Sequence, residues 1–78
     1  MREVSKQFAA KLEEVIKTNR RFKELVHHQQ NEQYETVILS NVTNTVFLIV
    51  DYYPEHDSLD VNEISSDDIK IIHKFLNT

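Results

Sequence analysis

Glycine is absent from all 78 residues. Its absence removes the phosphate-cradling loops, which need bare backbone close to a nucleotide, so the common nucleotide-binding motifs are disfavoured. Turns that enter left-handed backbone space then fall to Asn, Asp and Ser. Cysteine is also absent, which excludes disulfides, thiolate zinc sites and cysteine nucleophiles. The serines lack the glycine-flanked elbow of the hydrolases that use one. No apolar run approaches the roughly 18 to 20 residues that cross a bilayer, and Met1 to Lys6 lacks the apolar core of a signal peptide. The expectation is a soluble cytoplasmic protein with no membrane contact.

A chain of this length is expected to form a single domain, residues 1–78. Such a domain buries only about 60 to 65% of its unfolded surface, which leaves it marginally stable. With disulfides excluded, self-association is the simplest source of further burial, and a homodimer is the expected assembly.

The net charge of -4 conceals a division. Residues 1–30 carry seven Lys/Arg and four Asp/Glu, a balance of +3, whereas residues 31–78 carry two and nine, a balance of -7. Between Asp51 and Asp68 there are seven acids and no Lys or Arg. This asymmetry is the strongest functional signal in the chain.

The β-branched and aromatic run Thr45 to Tyr53, closed by the only proline, Pro54, reads as a central strand. Its two alternating sets are both apolar: Val46, Leu48, Val50 and Tyr52 on one side, Phe47, Ile49 and Tyr53 on the other. Tyr34 to Ser40 reads as its antiparallel partner, with Asn41 to Asn44 as the hairpin loop. Leu59 to Ile64 reads as a weaker third strand, at the edge.

From Val4 to Gln30, apolar residues Val4, Phe8, Leu12, Val15, Ile16, Phe22 and Val26 recur at the spacing of an amphipathic helix. An unbroken helix of that span would extend about 39 Å, more than the roughly 30 Å width of a globule this size. Either it breaks near Thr18-Asn19, or its far end packs on another subunit through Phe22, Leu25 and Val26. Ser65-Ser66-Asp67-Asp68 reads as the start of a C-terminal helix with Ile69, Ile72, Phe75 and Leu76 on its buried face. The predicted architecture is a two-layer α+β domain: long N-terminal helix, antiparallel sheet of two to three strands, C-terminal helix.

Catalytic and cofactor signals are weak. His27 and His28 are adjacent, no His-x3-His or His-Glu-x-x-His pair exists, and Glu55-His56-Asp57 is a lone triplet, so no metal or other cofactor is implied. Asp51, Tyr52, Tyr53, Glu55, His56 and Asp57 are close in sequence, but proximity in sequence makes no pocket, and no residue reads as catalytic. Lys17, Arg20, Arg21 and Lys23 form a short basic cluster that can touch phosphate. It lacks aromatic stacking platforms and lies among Glu13, Glu14 and Glu24, which argues against nucleic-acid binding.

The acidic segment is different. In composition and size, Asp51 to Asp68 resembles the carboxylate-rich surfaces of small phage-encoded inhibitors, which occupy a nucleic-acid channel of a host enzyme by imitating phosphate spacing. Immunity proteins that neutralise a basic nuclease toxin share the same character. The resemblance implies a non-enzymatic protein-binding module for a basic partner, engaged through Asp51, Tyr53, Glu55, Asp57, Asp60 and Glu63. The competing expectations are a structural homodimer or assembly subunit that docks through its long N-terminal helix at Phe22, Leu25 and Val26, or a weak nucleic-acid binder through the basic part of that helix.

Overall fold

The computed structural model describes residues 4–68. They form a helix, α1 (Lys6–Thr18), and four strands, β1 (Phe22–Gln30), β2 (Glu35–Asn41), β3 (Val46–Tyr53) and β4 (Ser58–Ser65). The strands make one antiparallel meander in the order β1-β2-β3-β4, with α1 packed on one face. The α+β class is as expected, but the sheet has four strands rather than two or three.

Helix α1 begins where the Ser5 hydroxyl accepts the Phe8 N–H at 3.4 Å, occupying one of the donors a helix start leaves orphaned. Phe8, Leu12 and Val15 form its buried stripe at helical spacing. The helix stops at Asn19, whose side-chain amide donates to the Val15 carbonyl at 2.8 Å. Its backbone N–H turns to the Val15 and Ile16 carbonyls, so the last turn is closed from within.

Beyond Asn19 the chain does not resume a helix. The long helix expected from Val4 to Gln30 is therefore corrected: its second half is strand β1, and Phe22, Leu25 and Val26 sit at a sheet edge. The physical reason lies in the β1–β2 register, which slips between Phe22 and Glu24 and again between Leu25 and His27. Each slip inserts one residue into β1. Phe22, Leu25 and His28 thus share the face of Asn41, Leu39 and Val37 at a spacing of three residues, and a doubly bulged strand imitates the period of a helix.

On the α1 side, Phe8, Leu12, Val15, Phe22, Val37, Leu39, Leu48, Val50 and Tyr52 form one core, with the Phe8 and Tyr52 rings stacked at 5.4 Å. This is the Val46–Leu48–Val50–Tyr52 face anticipated for the central strand. β2 is buried on both faces, since Thr36, Ile38 and Ser40, which point away from α1, are as shielded as its core residues. Phe47, Ile49 and Tyr53 on that second face of β3 are half-buried.

β4 pairs with β3 from Ser58 through Ser65 and forms the edge anticipated for Leu59 to Ile64. Ser65, read from the sequence as a helix cap, ends this strand, and a turn follows in which the Asp68 N–H meets the Ser65 carbonyl at 3.1 Å. The remainder of the expected C-terminal helix lies outside the described residues. Left-handed backbone falls on Asn44 (φ 57°) and Asp57 (φ 49°), the residue types that tolerate it when glycine is unavailable. Among the described residues no helix is long and apolar enough to cross a membrane.

Candidate functional site

The meander brings the 31–34 turn, the 54–57 turn and the N-terminal end of α1 to the same end of the sheet. Together they enclose a cleft of about 470 Å³, lined by Ser5 and Gln7 from the helix, Gln30, Asn31, Tyr34 and Glu35 from the first turn, and Tyr52, Pro54 and Asp57 from the second. Both turns are built locally. The Asn31 carboxamide oxygen accepts the N–H groups of Gln33 and Tyr34 at 2.8 and 2.9 Å. Pro54 presets its own φ, and the Asp57 N–H closes the second turn on the Pro54 carbonyl at 3.3 Å.

Glu35 is the most unusual residue of this end, because it is a carboxylate only 3% exposed. It sits in the apolar alternation of β2, on the face of Val37 and Leu39, opposite Tyr52 of β3. Its Oε2 lies 2.6 Å from His28 Nε2 and accepts the Ser5 N–H at 3.1 Å. Since an ionised carboxylate only accepts, His28 Nε2 is the donor. Burial pushes the Glu35 carboxyl up, but hydrogen bonds from Ser5 and His28 and the His28 charge outweigh it, holding the group below its ordinary value.

Tyr52, 3% exposed, donates its hydroxyl to Asp57 Oδ1 at 2.8 Å. That bond, followed by burial, raises the Tyr52 phenol above its ordinary value. Lys11 of α1 reaches Asp57 Oδ2 at 3.5 Å. One polar contact therefore runs from exposed Asp57 to buried Tyr52, and another set runs from buried Glu35 to β1 and the cap of α1.

The residues singled out in the sequence fall into three places. Asp51 and Tyr53 lie on the face of β3 turned from α1, and Asp60 stands directly across from Asp51 on β4. Thr36 donates to Asp51 at 2.5 Å, and Tyr53 packs on Tyr34 with ring centroids 5.7 Å apart. Burial, then Asp51 and Asp60, raise the Tyr53 phenol. Glu55 and Asp57 are exposed in the adjoining turn. Glu63 stands apart: it pairs with Leu48, on the α1 side, and makes an ion pair with Arg21 near the other end of the sheet.

Phe22, Leu25 and Val26 separate in the same way. Phe22 is 1% exposed and belongs to the core, Leu25 is half-buried, and only Val26 is open at 38%. His27 and His28 face opposite sides of the sheet, against Ile38 and Val37. Among the described residues no three His, Asp or Glu side chains gather as a metal site would require. In the basic cluster, Lys17 meets Glu14 at 3.9 Å, and the Arg21 guanidinium lies over the Phe22 ring.

Sequence reasoning missed Glu35, His28 and Ser5. One signal was present: an acid in phase with Val37 and Leu39 occupies a core position, and a buried charge needs a partner. No protein-family model matches this chain, and no curated protein or solved structure matches it.

Proposed function

We propose that this chain is a non-enzymatic protein-binding module whose acidic sheet end engages a basic partner, covering that partner's nucleic-acid-binding surface in the manner of a mobile-element inhibitor. The observation that carries this reading is the cross-strand pair Asp51 and Asp60. Like charges facing one another across an antiparallel pair are destabilising, and residues 51–68 contain no Lys or Arg to offset them. Cationic groups of a partner relieve that repulsion. Glu55 and Asp57 in the adjoining turn extend the negative field, and half-buried Tyr53 supplies an aromatic anchor beside it. Glu63, paired with Arg21, is not part of this surface.

The test compares affinity capture from the native host by the wild-type chain and by the triple variant D51K/E55K/D60K. The expected result is a partner with a basic nucleic-acid-binding surface, retained by wild type, displaced by nucleic acid and lost with the variant, while the circular dichroism spectrum is unchanged. Equal retention by the variant removes the proposal.

A second reading is a homodimer or assembly subunit, favoured by an apolar groove of about 350 Å³ between α1 and β1, lined by Leu12, Ile16, Phe22, Leu25 and Leu39. Ile16 and Val26 are exposed beside β1, which is an edge strand of the sheet among the described residues. Under this reading, V26D lowers the mass measured by light scattering from dimer to monomer. An unchanged mass for V26D counts against it.

A further inference from the structure

We propose that the outer side of β4 accepts an extended segment of the basic partner as a fifth strand, with a Lys or Arg opposite Asp60 and an apolar residue opposite Val61. This inference rests on the reading of the chain as a binder of basic proteins and assigns the way the partner is held.

Among the described residues the sheet has two edges, and they are built differently. β1 carries two register slips, and bulges of that kind twist an edge away from an incoming strand. β4 instead pairs with β3 in unbroken register from Ser58 to Ser65. Its sequence holds no proline or lysine, the residues that commonly blunt an edge. Asp60, Val61, Asn62 and Glu63 are exposed in succession, so this stretch of the strand is open. Its backbone phase follows from one bond. The Ser66 N–H donates to the Thr45 carbonyl at 2.8 Å, which makes Thr45 and Ser66 a hydrogen-bonded pair one step beyond Val46 and Ser65. In an antiparallel ladder such pairs alternate with open ones. Asp60, Asn62 and Ile64 therefore bond to β3, while Leu59, Val61 and Glu63 turn their N–H and C=O groups outward. A row of such groups is the template for strand addition.

Charge selects the occupant. On the face turned from α1, Asp60 stands beside Asp51. A second copy paired antiparallel about Val61 would set the two Asp60 residues diagonally, roughly 7 to 8 Å apart, each next to its own Asp51. Four carboxylates on one face oppose that pairing. A Lys or Arg in the incoming strand instead meets Asp60 directly and offsets its repulsion with Asp51. On the α1 face Glu63 is already paired with Arg21, and Val61, 43% exposed beside half-buried Leu59, is covered by an apolar residue set opposite it. The expected partner segment thus alternates basic and apolar residues.

The probe is the peptide Lys-Val-Lys-Val-Lys-Val-Lys, acetylated and amidated, added to the full chain and followed by amide hydrogen exchange. One control is the same peptide N-methylated at its valines, which keeps the charge and loses the donors aimed at β4. The other carries glutamate in place of lysine. At about ten times Kd, exchange is expected to slow about tenfold at Leu59, Val61 and Glu63. Both controls are expected to bind at least about tenfold more weakly. Val61→Pro removes an outward N–H and no β3 bond, and is expected to abolish binding with the circular dichroism spectrum unchanged. Asp60→Lys leaves the backbone alone and is expected to weaken the lysine peptide about three- to tenfold. Absence of saturable binding, unchanged exchange at those three amides, or undiminished binding of the N-methylated peptide, of folded Val61→Pro or of Asp60→Lys each overturn the proposal.

The two proposals fail separately. Partner capture by folded Val61→Pro equal to wild type, but lost in D51K/E55K/D60K, removes strand addition and keeps the acidic-surface reading. Capture retained by D51K/E55K/D60K removes the acidic-surface reading whatever the peptide does.

Discussion

Replacing Glu35 with alanine strips two donors of their acceptor at once: His28 Nε2, 2.6 Å away, and the Ser5 N–H at 3.1 Å. Both lie in partly buried surroundings, and an orphaned donor there costs about 1 to 3 kcal/mol. Two such donors set the loss at about 2 to 6 kcal/mol for the pair, against a total of about 4 to 12 kcal/mol for a domain of this size. Because Ser5 is also the cap of α1, the loss falls on the helix start as well as on the β1–β2 pairing. Urea unfolding followed by circular dichroism measures it as a lower midpoint with an unchanged slope. A double-mutant cycle with His28→Ala isolates the pair and is expected to return a coupling of about 1 to 2 kcal/mol. The pH dependence gives a separate check. The folded carboxyl titrates below its ordinary value, so its contribution is fully present above the unfolded pKa of about 4.3 and is lost as pH falls through the lower folded value. In Glu35→Gln that part of the acid transition flattens. A loss below about 0.5 kcal/mol for E35A, the range of an ordinary surface substitution, together with an acid profile for E35Q superimposable on wild type, refutes the reasoning.

Further outcomes follow from other contacts. Tyr52 and Tyr53 both titrate above their ordinary value, so their stabilisation is complete below about pH 10 and disappears as pH rises through the folded values; Tyr52→Phe reduces this alkaline loss in thermal melts at stepped pH. Phe22→Ala opens a cavity in the core and costs about 3 to 5 kcal/mol, whereas Val26→Ala at the open edge costs less than about 1 kcal/mol, the pattern of a strand and not of a helix stripe; urea midpoints distinguish them. Asp60→Lys replaces a repulsive cross-strand pair with an attractive one and stabilises by about 0.5 to 1 kcal/mol. That gain is largest at low salt and shrinks as ionic strength rises, which a salt series of thermal melts tests.

Much of the fold was legible because alternation and helical period are local signals. Phe8, Leu12 and Val15 announce the buried stripe of α1, and Asn19 in the middle of the apolar pattern marks its end. The alternating residues of β2, β3 and β4 and the Asn-rich loop between β2 and β3 are where they were expected. β1 was not legible, because two inserted residues gave Phe22, Leu25 and His28 the spacing of a helix while their backbone pairs with β2. Of the candidate site, the acidic run after Asp51 was visible as a stretch without Lys or Arg, whereas the Lys11 that meets Asp57 lies far off in the chain. The cleft was not visible.

Taken alone, the amino-acid order determined the α+β class, the position of the central strand, the glycine-free turns and the concentration of acid after Asp51, since each depends on residues near one another in the chain. Only the tertiary structure decided that Ser5, His28 and Glu35 share one buried contact, that Asp51 confronts Asp60, and that Glu63 leaves the acidic surface for Arg21. Strand register brings such partners together across tens of residues. A register set by bulges and by the packing of α1 leaves no mark in the spacing of the residues it joins.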